Sequence, residues 1–147
     1  MGNSYFQDYH SKIIKDIFSE LELQDEMPVG KKRVDLGTLD YRYGIEIKSG
    51  HGDLKSGCGL NQCKFSYGYI ICPEKLVPYA IGYLYLKGMQ ETGVIGIDDN
   101  NNYLMFKPAS FNTHTMESMS SHEFVWNGLS GGMDEISRKI RRNSNKS

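Results

Sequence analysis

The sequence predicts one α/β domain, and three observations carry that prediction. Ile13, Ile14, Ile17, Phe18 and Leu21 recur at three- and four-residue spacing, which is the buried stripe of an amphipathic helix. Tyr69-Ile70-Ile71-Cys72 is a short apolar run rich in β-branched residues and ended by Pro73, the composition of a central strand covered on both faces. Gly93-Val94-Ile95-Gly96-Ile97 and Tyr103-Leu104-Met105-Phe106 flank the polar run Asp98-Asp99-Asn100-Asn101-Asn102, a hairpin signature. A chain of 147 residues can bury about two thirds of its extended surface around a single core, so no second core is needed.

In chain order, the helical stripe predicts a helix over residues 9–23 that packs on a sheet. Residues 23–32 contain Pro28-Val29-Gly30 and many charges and read as a loop. Strands follow at 33–36 and 43–48, joined through the turn-like Gly37-Thr38-Leu39-Asp40. Ser49-Gly50-His51-Gly52-Asp53 and Ser56-Gly57 predict a flexible, glycine-rich connection. Helix spacing returns over 59–66 with Leu60 and Cys63, and after the apolar strand a second packing helix is expected over 77–87, stopped by Gly88. Pro108 closes the hairpin, 110–121 is rich in Ser, Thr, Asn and Met and reads as irregular, and Trp126 is a local anchor. Residues 133–142 suit a short helix whose acidic start and basic end match the helix dipole. The expected division is a core over residues 1–110 and a C-terminal extension over 111–147 that carries this helix and a basic tail.

Seventeen lysines and arginines against 18 acids leave a net charge of −1, so the field of the whole molecule does not attract a polyanion. Contacts to nucleic acid must come from local patches: Lys31-Lys32-Arg33, the glycine-rich connection with His51 and Lys55, and the tail Arg138-Lys139-Ile140-Arg141-Arg142 with Lys146. Three cysteines, Cys58, Cys63 and Cys72, without a secretory leader point to reduced thiols and an intracellular, cytoplasmic protein. Zinc held by His51 and these cysteines fits none of the usual paired-ligand spacings, and a buried thiol is the ordinary reading of Cys72. The Asp98–Asn102 run lacks the glycine and terminal glutamate of a calcium loop, and turn chemistry explains it. The apolar runs are too short to span a bilayer, so no membrane is expected.

The chemistry is carried by Asp35, Glu46 and Lys48. Alternation along a strand puts Glu46 and Lys48 on one face and Ile47 on the other, and a neighbouring strand through Asp35 brings a second carboxylate to the same spot. Two acids and a lysine together suit a hard divalent cation and a water beside a phosphodiester. The bland alternative is a same-face ion pair on an edge strand with Asp35 in a turn.

This arrangement resembles the PD-(D/E)XK nuclease superfamily, which includes restriction endonucleases and archaeal Holliday junction resolvases. Asp35, Glu46 and Lys48 match the acid, second acid and lysine of its motif, and Gln62 matches a glutamine that many members carry on the helix after the lysine strand. Val34 replaces the name-giving proline, and the likeness covers roughly residues 10–110. The resemblance implies a restriction-endonuclease-like mixed central sheet flanked by helices. It implies a Mg²⁺-dependent DNA endonuclease, with Mn²⁺ able to substitute. Asp35, Glu46 and the backbone carbonyl of Ile47 would ligate the ion, and Lys48 and Gln62 would serve the attacking water. It further implies an additional acid from the first helix, whose register leaves Asp8, His10, Asp16 and Glu20 open, and it makes a homodimer natural. The rival expectations are a non-catalytic nucleic-acid- or protein-binding module on the same fold, and an RNA-processing nuclease.

Overall fold

The computed structural model describes residues 2–57, 65–112 and 135–144. Helix α1 (Gly2–Ile17) leads through a 3-10 turn (Ser19–Leu21) into three consecutive strands, β1 (Gln24–Val29), β2 (Lys32–Gly37) and β3 (Tyr43–Ile47). Helix α2 (His51–Gly57) then precedes β4 (Tyr67–Pro73), and a 3-10 turn (Glu74–Leu76) runs into α3 (Val77–Leu86). Strands β5 (Gly93–Ile97) and β6 (Tyr103–Lys107) follow, and α4 (Glu135–Ser144) lies near the end of the chain.

The strands form one six-stranded sheet in sequence order. β1, β2 and β3 pair antiparallel, β3, β4 and β5 pair parallel, and β5 and β6 close with an antiparallel pair. Parallel neighbours need a crossover, and α2 and α3 lie in the two crossover connections. Their side chains Leu54, Val77, Ala80 and Leu84 cover Ile70, Cys72 and Val94 on one face. On the other face Ile14 of α1, Phe18 just after it, and Ile136 and Ile140 of α4 pack on Leu36, Ile45, Ile47, Ile71 and Ile95. Fully burying an aliphatic side chain of this kind contributes about 1.5–3 kcal/mol. The expected mixed α/β architecture with helices on both faces is therefore present. The expected hairpin is also in place: Asp98 accepts the backbone N–H groups of Asn100 and Asn102 at 2.9 Å each, which is turn chemistry.

Two glycines are fixed by close approach. A Cβ on Gly44 would lie 2.3 Å from the Phe65 ring, and one on Gly93 would lie 2.4 Å from the Tyr69 ring and 2.6 Å from the backbone nitrogen of Ala109. Both strands are thereby thinned where an aromatic ring crosses them.

Three sequence expectations need correction. The first helix starts at Gly2 and ends at Ile17, because its buried stripe continues backward through His10 and Phe6 and the chain turns at Glu22 in the left-handed region (φ 55°). Residues 24–29, read as a loop, are β1: it is the edge strand, where charges and a proline face water and blur the alternation. The glycine-rich connection is a helix over His51–Gly57, anchored by fully buried Leu54 and tied at its start by the Ser49 N–H donating to Asp53 Oδ2 at 3.3 Å. Most of the helix expected over 59–66, with Gln62, Cys58 and Cys63, and the anchor Trp126 lie outside the described residues. Cys72, on β4, is buried against α2 and α3.

Candidate active site

β2 and β3 pair only at Leu36–Ile45 and Gly37–Gly44. One step further along an antiparallel ladder the N–H of Ile47 would be taken by the backbone of β2; here Asp35 Oδ2 accepts it at 2.7 Å. The ladder on the other side is broken at the same place. Asp25–Leu36 and Met27–Val34 pair, the Glu26–Asp35 step between them does not, and Glu26 has φ 51°. Accordingly Leu36 belongs to the large core, whereas Val34 packs with Met27 and Phe65. Asp35 thus sits where β2 parts from both neighbours, and its side chain takes over a bond that the ladder lacks. Its other oxygen accepts the Gln7 side-chain amide of α1 at 2.6 Å, and the same amide nitrogen stands 3.3 Å from Glu26 Oε1.

Glu46 and Lys48 flank Ile47 and point away from the layer that Ile45 and Ile47 fill. They are only 5% and 8% exposed, a burial that charged side chains rarely reach without partners. Lys48 Nζ lies 3.4 Å from Glu46 Oε2 and 3.6 Å from Asp53 Oδ1 on α2. The backbone N–H of Lys48 donates to Ile71 O on β4, so the preceding residue turns its N–H and C=O to the opposite side. The Ile47 carbonyl therefore faces the gap that holds Asp35.

Burial pushes the Asp35 carboxyl up to about 6. The Ile47 N–H and the Lys48 ammonium pull it down, and Glu26 and Asp53 add to the rise. Burial likewise draws Lys48 down, but Glu46, Asp53 and Asp35 together outweigh it and hold the ammonium above its ordinary value. The spot is rich in negative charge and contains one fixed cation.

Lys48 thus stands directly beside Glu46, and Asp35 lies close enough for the ammonium to act on its charge. Lys31, Lys32 and Arg33 lie exposed at the tip of the β1–β2 hairpin, outside the cluster. His51 turns toward α3, with Nε2 2.7 Å from Tyr83 Oη and its ring edge-on to Tyr79, and Lys55 is exposed on α2. The first-helix side chain that reaches the cluster is Gln7. Of the four candidates, Asp8 and Asp16 are exposed, His10 is buried against Tyr103 Oη at 2.5 Å, and Glu20 pairs with Lys139 of α4 at 2.9 Å. Arg138 of the basic tail pairs with Glu135 at 3.2 Å. Asp53 and Gln7 are the additions that the residue pattern missed. Asp53 was hidden by the glycines beside it, and Gln7 by lying before the stripe that marked the helix. A cleft of about 240 Å³, lined in part by Gln7, Glu26, Lys12 and Lys15, opens at Asp35.

Among the described residues no three His, Cys, Asp or Glu side chains form a group that could hold a metal by themselves. The donors on offer are two carboxylates and the Ile47 carbonyl. So small a protein share fits Mg²⁺, which keeps several waters, better than Ca²⁺ or Zn²⁺, which take fuller protein cages. No described helix is long and apolar enough to cross a membrane. Compared with known proteins, the chain matches no family model, and no curated protein and no solved structure matches it.

Proposed function

We propose that the protein is a Mg²⁺-dependent endonuclease that hydrolyses phosphodiester bonds in DNA, on a restriction-endonuclease-like fold. The observation that carries this reading is the Lys48 ammonium, 3.4 Å from Glu46 and close enough to Asp35 to act on its charge, at the point where β2 leaves β3 and Asp35 takes the Ile47 N–H. The resemblance noted in the sequence rests on the succession strand, turn, strand, Gln62 helix, strand; β2, β3 and β4 follow in that order, α2 stands in the connection read as a loop, and most of the expected Gln62 helix lies outside the described residues.

Asp35, Glu46 and the Ile47 carbonyl would hold the ion, which when bound supplies an acidified water and neutralises charge that accumulates on phosphorus. Asp35 is prepared for that task. Its carboxylate is kept at a site where burial and neighbouring acids oppose ionisation, so an added cation is favoured there. Gln7 fixes its orientation through the outer oxygen. Lys48 remains protonated beside its carboxylates and would place an attacking water and offset the charge that develops on the phosphate. Asp53 holds the ammonium from the helix side and so sets its direction.

The test is cleavage of a panel of linear, nicked, mismatched, branched and single-stranded DNAs, with matching RNAs, in Mg²⁺, in Mn²⁺ and in EDTA. The reading expects metal-dependent cutting of DNA that Lys48→Met and Glu46→Gln abolish while circular dichroism stays native. Full activity in both variants removes it. Cutting of RNA alone moves the substrate class. Binding of DNA or protein without cutting under any metal favours the rival, a non-catalytic module that engages its partner through the exposed Lys31-Lys32-Arg33 tip.

A further inference from the structure

A cavity of about 570 Å³, distinct from the cleft beside Asp35, opens where the three parallel strands end. Ser49 follows β3, Pro73 closes β4, and Ile97 and Asp98 lie at the end of β5, so one boundary is the carboxyl edge of the parallel part of the sheet. Open α/β sheets bind ligands outside that edge, and small-molecule sites measure roughly 300–1,000 Å³. Phe6 and His10 of α1 supply the aromatic wall.

His10 gives that wall an open hydrogen-bonding position. The residue is 3% exposed, its Nδ1 lies 2.5 Å from Tyr103 Oη, and its ring centroid stands 4.6 Å from that of Phe6. Nε2 has no partner among the described residues, yet it is not one of the fully enclosed polar atoms, so it reaches open space, and the cavity is the open space that His10 lines. Burial lowers the pKa of the ring and favours its neutral form, so Nε2 offers a hydrogen bond without a charge. A ligand that meets Nε2 removes the cost of leaving it unpaired.

The rim carries Glu74, Asp98 and Asp99 against Lys75, which disfavours phosphate or any other anion. Asp98 is occupied by its own turn, and Glu74 and Asp99 are left as acceptors. Aromatic faces, a neutral imidazole nitrogen and carboxylate acceptors suit a planar heterocycle with amino groups, which is the chemistry of cytosine, adenine and guanine. The aromatic surface also continues outward along α1: Tyr9 is edge-on to His10, Tyr5 stacks on Tyr9 at 6.3 Å, and the two tyrosines are 41 and 76% exposed. A row of rings serves successive bases of one strand better than a free nucleoside. Along the chain the cavity adjoins the candidate site twice, since Ser49 follows Lys48 and Phe6 precedes Gln7, which holds Asp35.

We propose that this cavity takes up one unpaired nucleobase of the DNA strand, next to the phosphodiester to be cut, so that the protein selects unpaired nucleotides over continuous duplex. The place of the base beside a cut rests on the nuclease reading, whereas its uptake into the cavity does not. Phe6 stacks on the base and His10 Nε2 meets its edge. Glu74 and Asp99 accept from its amino group, which ranks cytosine above thymine. Tyr9 and Tyr5 receive the neighbouring bases.

The test is the binding of fluorescein-labelled DNA to the full chain, followed by anisotropy in EDTA so that cutting plays no part. A duplex with one unpaired cytosine should bind about ten- to a hundredfold more tightly than the fully paired duplex, the range of one stacked base, and an abasic residue in place of the cytosine should abolish the preference. Thymine at that position should bind about fivefold more weakly than cytosine, and Glu74→Gln combined with Asp99→Asn should remove the difference. Phe6→Leu keeps an apolar side chain on the core and should lose the preference for the unpaired base while the far-ultraviolet spectrum stays native. In the wild type, 5-iodocytosine at the unpaired position should cross-link on irradiation to residues 6–10, mapped by mass spectrometry, a readout that needs no variant. Equal affinity for paired, unpaired and abasic duplexes, or cross-links only outside the cavity wall, overturns the proposal even if the protein cuts DNA. Preference and cross-linking as described, without cutting under any metal, uphold the base site and remove the nuclease reading instead.

Discussion

Replacing Asp35 by asparagine should make the metal-free protein more stable while it removes metal binding. The folded-state pKa of Asp35 is raised from 3.8 to about 6, chiefly by burial. Between those values the folded chain holds more protons than the unfolded one, so stability falls as pH rises through roughly 4 to 6 and stays low above it. At 1.36 kcal/mol per pKa unit, the rise corresponds to about 3 kcal/mol of strain at pH 8 that the neutral amide does not carry. Asparagine can still accept the Ile47 N–H through its oxygen, and the Gln7 amide can turn to meet the new NH₂ group. Urea denaturation in EDTA at pH 8 should therefore show the variant more stable by about 2–3 kcal/mol, with the two proteins converging near pH 4. Saturating Mg²⁺ should reverse the order at pH 8, because only the wild type gains binding free energy, about 2.7 kcal/mol at one hundred times its dissociation constant. A variant that is no more stable than the wild type at pH 8, or a difference independent of pH, would refute the reasoning.

Further outcomes follow from neighbouring contacts. Lys48→Met leaves Glu46 and Asp53 without the cation they share, so the metal-free protein should lose about 3 kcal/mol at pH 8, measured by urea denaturation. Gln7→Ala removes a hydrogen bond to a charged acceptor, worth about 1.5–3 kcal/mol, and should weaken Mg²⁺ affinity by about ten- to a hundredfold in a calorimetric titration without changing the fold. Gly44→Ala drives a methyl group into the Phe65 ring and should lower stability by about 1–3 kcal/mol by thermal melting, with no change in metal affinity of the folded protein.

The readable parts of this fold are those where burial writes a pattern. β4 is buried from Tyr67 to Cys72, and its apolar run announces it; α3 and the β5–β6 hairpin are similarly marked by apolar content and turn residues. β1 was opaque because an edge strand with exposed Gln24, Asp25, Glu26 and Pro28 carries the residues that also make loops. α2 was opaque because two glycines dilute a seven-residue helix whose one fully buried anchor is Leu54. At the site, the same-face placement of Glu46 and Lys48 was legible from strand alternation alone. The position of Asp35 was expected from an ordinary β2–β3 pair, but it depends on a break in pairing that no local composition marks. Gln7 and Asp53 reach the cluster from helices whose register comes from tertiary packing.

The central claim, that these carboxylates hold a divalent ion, is tested most directly by electron paramagnetic resonance of Mn²⁺ titrated into the wild type and into Asp35→Asn and Glu46→Gln at pH 8. The account predicts saturable uptake of bound Mn²⁺ by the wild type and its loss in each variant. No saturable uptake, or uptake that neither substitution alters, contradicts it.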